Sequence, residues 1–136
     1  MADQYSKEKM LKITQAIIAY LDEWKLKPEQ MCEILGLPEN TRTRHIQQYR
    51  SGSKTFPQTE DVLIRIDHIN GIADALRTTF PFSQQMRYLW LYKPHRRFRK
   101  KRPIEVIFNE GVHGLMRVRV EVDCTYGWVS PDIVST

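Results

Sequence analysis

The chain has no run of about 18 apolar residues, the length that a membrane-spanning helix needs, and it opens with no recognisable leader segment. Neither membrane insertion nor export is expected, and the chain reads as cytoplasmic. Cysteine is scarce. Cys32 and Cys124 form no CxxC pair, and each stands in an apolar stretch. Buried free thiols in a reducing compartment are expected rather than a disulfide framework. The four histidines lie scattered at 45, 68, 95 and 113, without zinc or haem spacing. A Gly-rich phosphate loop, GxSxG and HExxH are all missing. Asp67-His68 reads as a surface or capping pair rather than an acid–base couple. The residues therefore offer no support for catalysis, a metal or a cofactor, and the chain is not expected to be an enzyme.

What is present is a soluble composition with an uneven charge. An apolar content of 41% and a charged content of 27% in 136 residues suit one domain, or two small lobes, and argue against wholesale disorder. The net charge is +5. Lys93, Arg96, Arg97, Arg99, Lys100, Lys101 and Arg102 supply 7 of the 21 basic residues with no acid among them, which leaves 14 bases against 16 acids elsewhere. The excess positive charge thus sits in one short segment, and an anionic partner becomes plausible.

Apolar spacing of three and four predicts a helix over 7–24, through Met10, Ile13, Ile17, Leu21 and Trp24. Pro28 suits the first turn of a second helix ending at Leu35, with Gly36 as its left-handed stop. A third helix is expected over 41–50, with Asn40 as its cap and Ile46 and Tyr49 inward. Thr59 can cap a fourth, which carries Val62, Ile66, Ile69, Ala73 and Leu76 and runs to Thr78. Phe80-Pro81-Phe82 marks the expected division into lobes 1–78 and 79–136. Ser83 can cap a helix with Met86, Leu89 and Trp90, and Pro103 can begin another. Residues 115–122 are ambiguous. Val118, Val120 and Val122 alternate like a half-buried strand, whereas Leu115, Val118 and Val122 also share a helical face.

The segment 28–50 has the pattern of a helix-turn-helix, in which the second helix enters the major groove of DNA. From Arg42 to Lys54 there are four bases and no acid. The candidate DNA-binding residues are Arg42, Thr43, Arg44, Gln47, Gln48, Arg50 and Lys54. Arg can pair with guanine and Gln with adenine, so Arg44, Gln47 and Gln48 are assigned to base edges. Arg42, Arg50 and Lys54 are assigned to phosphates. The plainer reading of the same pattern is a helical hairpin with a solvated basic face. The loop 93–102 could track a phosphate backbone or an acidic protein surface, or simply be solvated. The aromatics Trp90, Tyr92, Tyr126 and Trp128 read as core, or as anchors of a protein interface.

The second half carries a further pattern. Its residues are Arg87-Tyr-Leu-Trp-Leu-Tyr-Lys-Pro94, Phe98, Arg102-Pro-Ile-Glu-Val-Ile107, Gly111, Gly114-Leu-Met-Arg-Val118 and Asp123. This order resembles the toxin-binding domain of the Xre/MbcA/ParS antitoxins, and the preceding half resembles their Xre-type helix-turn-helix. The family loop before the proline usually holds a glycine where this chain has Arg99-Lys100-Lys101-Arg102. The resemblance implies an all-α protein with a helix-turn-helix lobe and a small helical toxin-binding lobe, which makes 115–122 a helix. It implies a homodimer that represses its own operon from double-stranded operator DNA and neutralises a toxin, usually a RES-domain enzyme that consumes NAD. Toxin contacts are then expected from Trp90, Arg96, Arg97, Tyr126 and Trp128. The alternatives are a solitary regulator without a toxin, a protein inhibitor whose helix-turn-helix is scaffold, and a non-specific nucleic-acid binder working through 93–102.

Overall fold

The first helix forms because its apolar residues fall on one side and its open end is capped. In the computed structural model, which describes residues 4–38 and 40–128 with backbone alone over 125–128, α1 spans Lys7–Glu23. The Ser6 hydroxyl accepts from the Lys9 N–H at 3.2 Å. Met10, Thr14, Ile17, Ile18 and Leu21 are buried, and Ile13 is only half-buried. Pro28 opens α2 (Pro28–Leu35), which buries Met31, Ile34 and Leu35 and stops at Gly36 with φ +66°. The described residues are all-helical apart from turns, one 3-10 turn and an isolated bridge.

The third helix starts later than its sequence suggests. α3 is Arg44–Ser51, preceded by Thr43 and not by Asn40. Residues 36–43 form the connection, longer than the three or four residues of a tight helix-turn-helix turn. Pro38 explains the delay. Its carbonyl accepts the Thr41 N–H at 2.8 Å, so the chain turns before it can coil. Arg42 and Thr43 thereby leave the helix and precede it.

α3 buries only Ile46 and Tyr49. The Tyr49 ring meets Phe56 edge-on, with centroids 4.8 Å apart. The Phe56 N–H donates to the hydroxyl of Thr14 at 3.1 Å, which satisfies the buried polar side chain of α1. α4 spans Glu60–Thr79, capped by Thr59, whose hydroxyl accepts the Val62 N–H at 3.2 Å. Arg65 pairs with Asp61 at 3.1 Å and donates to the Ile34 carbonyl at 3.4 Å, at the end of α2.

Two compact units divide at Asp67/His68, inside α4, rather than at Phe80-Pro81-Phe82. The second unit holds the end of α4, then α5 (Gln84–Tyr92), a 3-10 turn at Arg96–Phe98, α6 (Pro103–Glu110) and α7 (Val112–Trp128). Ser83 caps α5, and Trp90 and Leu91 are its buried residues, whereas Met86 is exposed. The strand reading of 115–122 fails here. Leu115, Val118 and Val122 are fully buried while Val120 is 62% exposed, the pattern of a helical face and not of alternation. The thiols also differ from expectation. Cys32 is half-buried, and Cys124 near the end of α7 is exposed; both are free.

α6 and α7 cross at Gly114. A Cβ there would lie 2.2 Å from the Val106 carbonyl oxygen, a backbone atom that cannot step aside. At Gly71 the obstacle is the end of the Arg119 side chain, 2.3 Å away, which can swing off. Gly114→Ala should therefore cost about 1–3 kcal/mol in urea unfolding, as overpacking does. Gly71→Ala should be near neutral, because helix propensity favours Ala by up to about 1 kcal/mol. Equal costs at the two sites would refute the backbone-contact account.

Candidate nucleic-acid interface

With Ile46 and Tyr49 turned inward, α3 presents Arg44, Gln47, Gln48, Arg50 and Ser51 outward. Arg42 and Thr43 are exposed just before it, and Lys54 just after it. The structure thus brings the seven sequence-derived candidates to the outward side of one helix and its two flanks. Arg44 and Gln48 are four residues apart and form one ridge; Gln47 and Ser51 form the next.

The candidates differ in how free they are. The Arg50 guanidinium meets both oxygens of Asp22 on α1, at 3.0 and 2.7 Å. It also donates to the Gln47 side-chain oxygen. The hydrogen bond to Asp22 holds the Arg50 pKa above its ordinary value. Both partners are about 40% exposed, so the pair contributes only about 0.2–1 kcal/mol. Arg42, Arg44, Gln48 and Lys54 have no side-chain hydrogen bond or ion pair among the described residues. Both amide atoms of the Gln48 side chain are without a hydrogen bond among the described residues, whereas the Gln47 oxygen is taken.

The two ends of α3 are held unequally. At its C-terminus the Gln48 carbonyl accepts from the N–H groups of Gly52, Ser53 and Lys54, at 3.1, 3.0 and 3.2 Å. Gly52 makes this possible with φ +87°. The Gln15 amide adds a bond to the Arg50 carbonyl at 3.3 Å. At the N-terminus Thr43 makes no side-chain cap. The positive end of the helix dipole is thus uncapped by a side chain and flanked by Arg42 and Arg44.

His45 was not among the candidates, yet it organises the approach to α3. Its Nδ1 accepts from the Arg42 N–H at 3.0 Å, fixing the turn that carries Arg42. The imidazole borders a cleft of about 420 Å³ that also touches Thr41, Tyr49, Lys54, Phe56 and Pro57. Loss of water, then Lys54, Arg44 and Arg42, push its pKa below the ordinary 6.5. Asp22 was also missed, because it lies 28 residues from Arg50 and no local pattern links them. Thr14 was legible in principle, since it falls on the helical stripe between Met10 and Ile17.

The residues assigned to a protein partner fare differently. Trp90 is 6% exposed and packs in the second unit's core, its ring 4.7 Å from that of His95. It has almost no free surface. Arg96 and Arg97 are exposed, and Arg97 Nε lies 4.0 Å from Glu121. The side chains of Tyr126 and Trp128 lie outside the described residues. Among the described residues no group of His, Cys, Asp and Glu could hold a metal. No helix among the described residues is long and apolar enough to cross a membrane. No family model, curated protein or solved structure matches the chain.

A lowered His45 pKa means that the fold binds fewer protons than the unfolded chain near neutrality. The contribution of His45 to stability is present above the unfolded value of 6.5 and is lost as pH falls through the folded value. An NMR titration should place the His45 midpoint below 6.5, and duplex DNA should raise it by surrounding the imidazolium with phosphates. A midpoint that ignores saturating DNA would place His45 away from the interface.

Proposed function

We propose that the chain is a DNA-binding regulator that reads an operator with α3. The observation that carries this reading is the outward face from Arg42 to Lys54. It is acid-free and rich in Arg and Gln, on a helix locked at one end and uncapped at the other. Eight residues make a rod of about 12 Å, enough to lie in a major groove of similar width. Arg44 and Gln48 are the base readers, because they share a ridge and have nothing else to bind. Arg42 and Lys54 take phosphates. Arg50 contributes less than its charge suggests, since Asp22 already neutralises it. Thr43 can donate its hydroxyl to a phosphate beside the helix start, and Gln47 supports Arg50 more than it reads bases.

By resemblance to the Xre/MbcA/ParS antitoxins, the regulator acts as a homodimer on its own operon, and its second unit neutralises a toxin of the RES class. Arg96 and Arg97 are the exposed residues available for that contact. Trp90 supports it from the core, by holding the segment that carries them.

Affinity for the DNA upstream of the gene should exceed that for scrambled duplex by a hundredfold or more at physiological salt, within the specificity range of such proteins. Gln48→Ala should cut this discrimination by about 1–3 kcal/mol, and Gln47→Ala by less. Arg42→Ala should weaken all sequences and flatten the log–log salt slope by about 0.9, whereas Asp22→Asn should release Arg50 and steepen it by a similar amount. Wild-type discrimination in Gln48→Ala would sink the assignment of that ridge.

A further inference from the structure

The segment 93–102 plays no part in the reading of α3, and in the reading of the second unit only Arg96 and Arg97 are used; it is not the plain loop that its composition suggests. The His95 N–H donates to the Lys101 carbonyl at 3.1 Å, and the Lys100 N–H to the His95 carbonyl at 2.9 Å. These bonds close a knuckle around the 3-10 turn Arg96–Phe98. Phe98 is 4% exposed and plugs it from inside. His95 ties it to α5, with Nε2 at 2.8 Å from the Trp90 carbonyl oxygen. Glu105 ties the other side, accepting from Arg102 Nε at 2.6 Å; this ion pair holds the Glu105 carboxyl below the usual range.

Arg99 and Lys100 have φ of +54° and +67°. A left-handed Arg or Lys costs about 1–2 kcal/mol, which glycine or asparagine would largely avoid. Lys93, Arg96, Arg99, Lys100 and Lys101 are exposed, and none has a carboxylate within ion-pair distance among the described residues. Arg99 and Lys101 border a recess of about 300 Å³ floored by Phe98 and Val106. The carboxylate in its lining, Glu110, is taken by Arg117 at 2.5 Å. A rigid frame thus holds a strained backbone and a concentration of like charge, both unfavourable in the free chain. Such strain points to a ligand that compensates for it.

The ligand is an anion, and the composition decides its class. Protein interfaces centre on aromatic or aliphatic anchors. Here Trp90 and Phe98 are inside, and the outward residues from 96 to 101 are all cationic. Between Lys93 and Arg102 there is no Gln or Asn to read adenine beside the cations, which bind phosphate irrespective of sequence. We propose that the knuckle is a second nucleic-acid contact, one that grips the phosphate backbone without regard to sequence. It stands independently of the role given to α3.

The test uses the full chain carrying Arg99→Asn, Lys100→Asn and Lys101→Gln. Asparagine tolerates the left-handed conformation, so the charge is removed and the backbone kept. Affinity for a scrambled 20-base-pair duplex is measured across a salt series, beside poly-glutamate of matched charge. Three lost phosphate contacts should flatten the log–log salt slope by about 2.7. If the triple variant melts early, Lys100→Asn alone should flatten it by about 0.9. An unchanged slope and affinity would overturn the proposal. So would a loss confined to poly-glutamate, which would make the knuckle a protein-docking site. Failure of the α3 reading shows elsewhere, as equal affinity of the wild type for operator and scrambled DNA.

Discussion

Everything proposed for the first unit depends on the burial of two side chains. α3 has eight residues, far below the length at which a helix is stable alone in water. Ile46 and Tyr49 are its only buried residues. Tyr49 rests on Phe56, and Phe56 is hydrogen-bonded to Thr14 in the middle of α1. The helix is therefore borrowed from the core beneath it. Because the same two residues fix which side faces inward, they also determine that Arg44 and Gln48 face outward. Loss of the Tyr49 ring would cost order and orientation together.

The two basic regions solve one problem in different ways. Around α3 the charge is spaced along a helix and partly neutralised from within, by Asp22 at Arg50. In the knuckle Glu105 and Glu121 stand near Arg102 and Arg97, but Lys93, Arg96, Arg99, Lys100 and Lys101 have no carboxylate within ion-pair distance among the described residues, and backbone bonds hold them at short range. The first arrangement favours selectivity, since a few free side chains are presented at fixed spacing. The second favours charge density, which concentrates counter-ions and makes any anion bound there sensitive to salt.

Much of the fold was legible in the sequence because it is written in local rules. Thr59 and Ser83 cap helices where their spacing predicted, and Pro28 and Pro103 begin them. The errors arose where tertiary contacts overrode local pattern. Alternating valines at 118–122 suggested a strand, but Val118 and Val122 are also one helical turn apart, and over so short a window the two periods coincide. Only the packing of α7 on α6 at Gly114 decides between them. Pro38 delayed α3 through a turn whose bond is not readable from propensity. Of the candidate site, the identities of the exposed residues were legible and their freedom was not. The partner of Arg50 lies on another helix, and the burial of Trp90 depends on how His95 folds back over α5.

The unequal ends of α3 carry a mechanical consequence. Three N–H groups gathered on one carbonyl leave the Gln48 end nothing to rearrange, so that end acts as a fixed pivot. The opposite end is joined to α2 by eight residues that begin at a glycine, in which the Thr41 N–H donates to the Pro38 carbonyl and the Arg42 N–H to His45 Nδ1. Any adjustment of the helix to a surface must therefore be an angular one, swinging the Arg42 end about the Gln48 end. Such a lever displaces the residues at its start most and those at its close least. Contacts made by Arg42 and Thr43 would be adaptive, while those made by Gln48 would be set in advance by the fold.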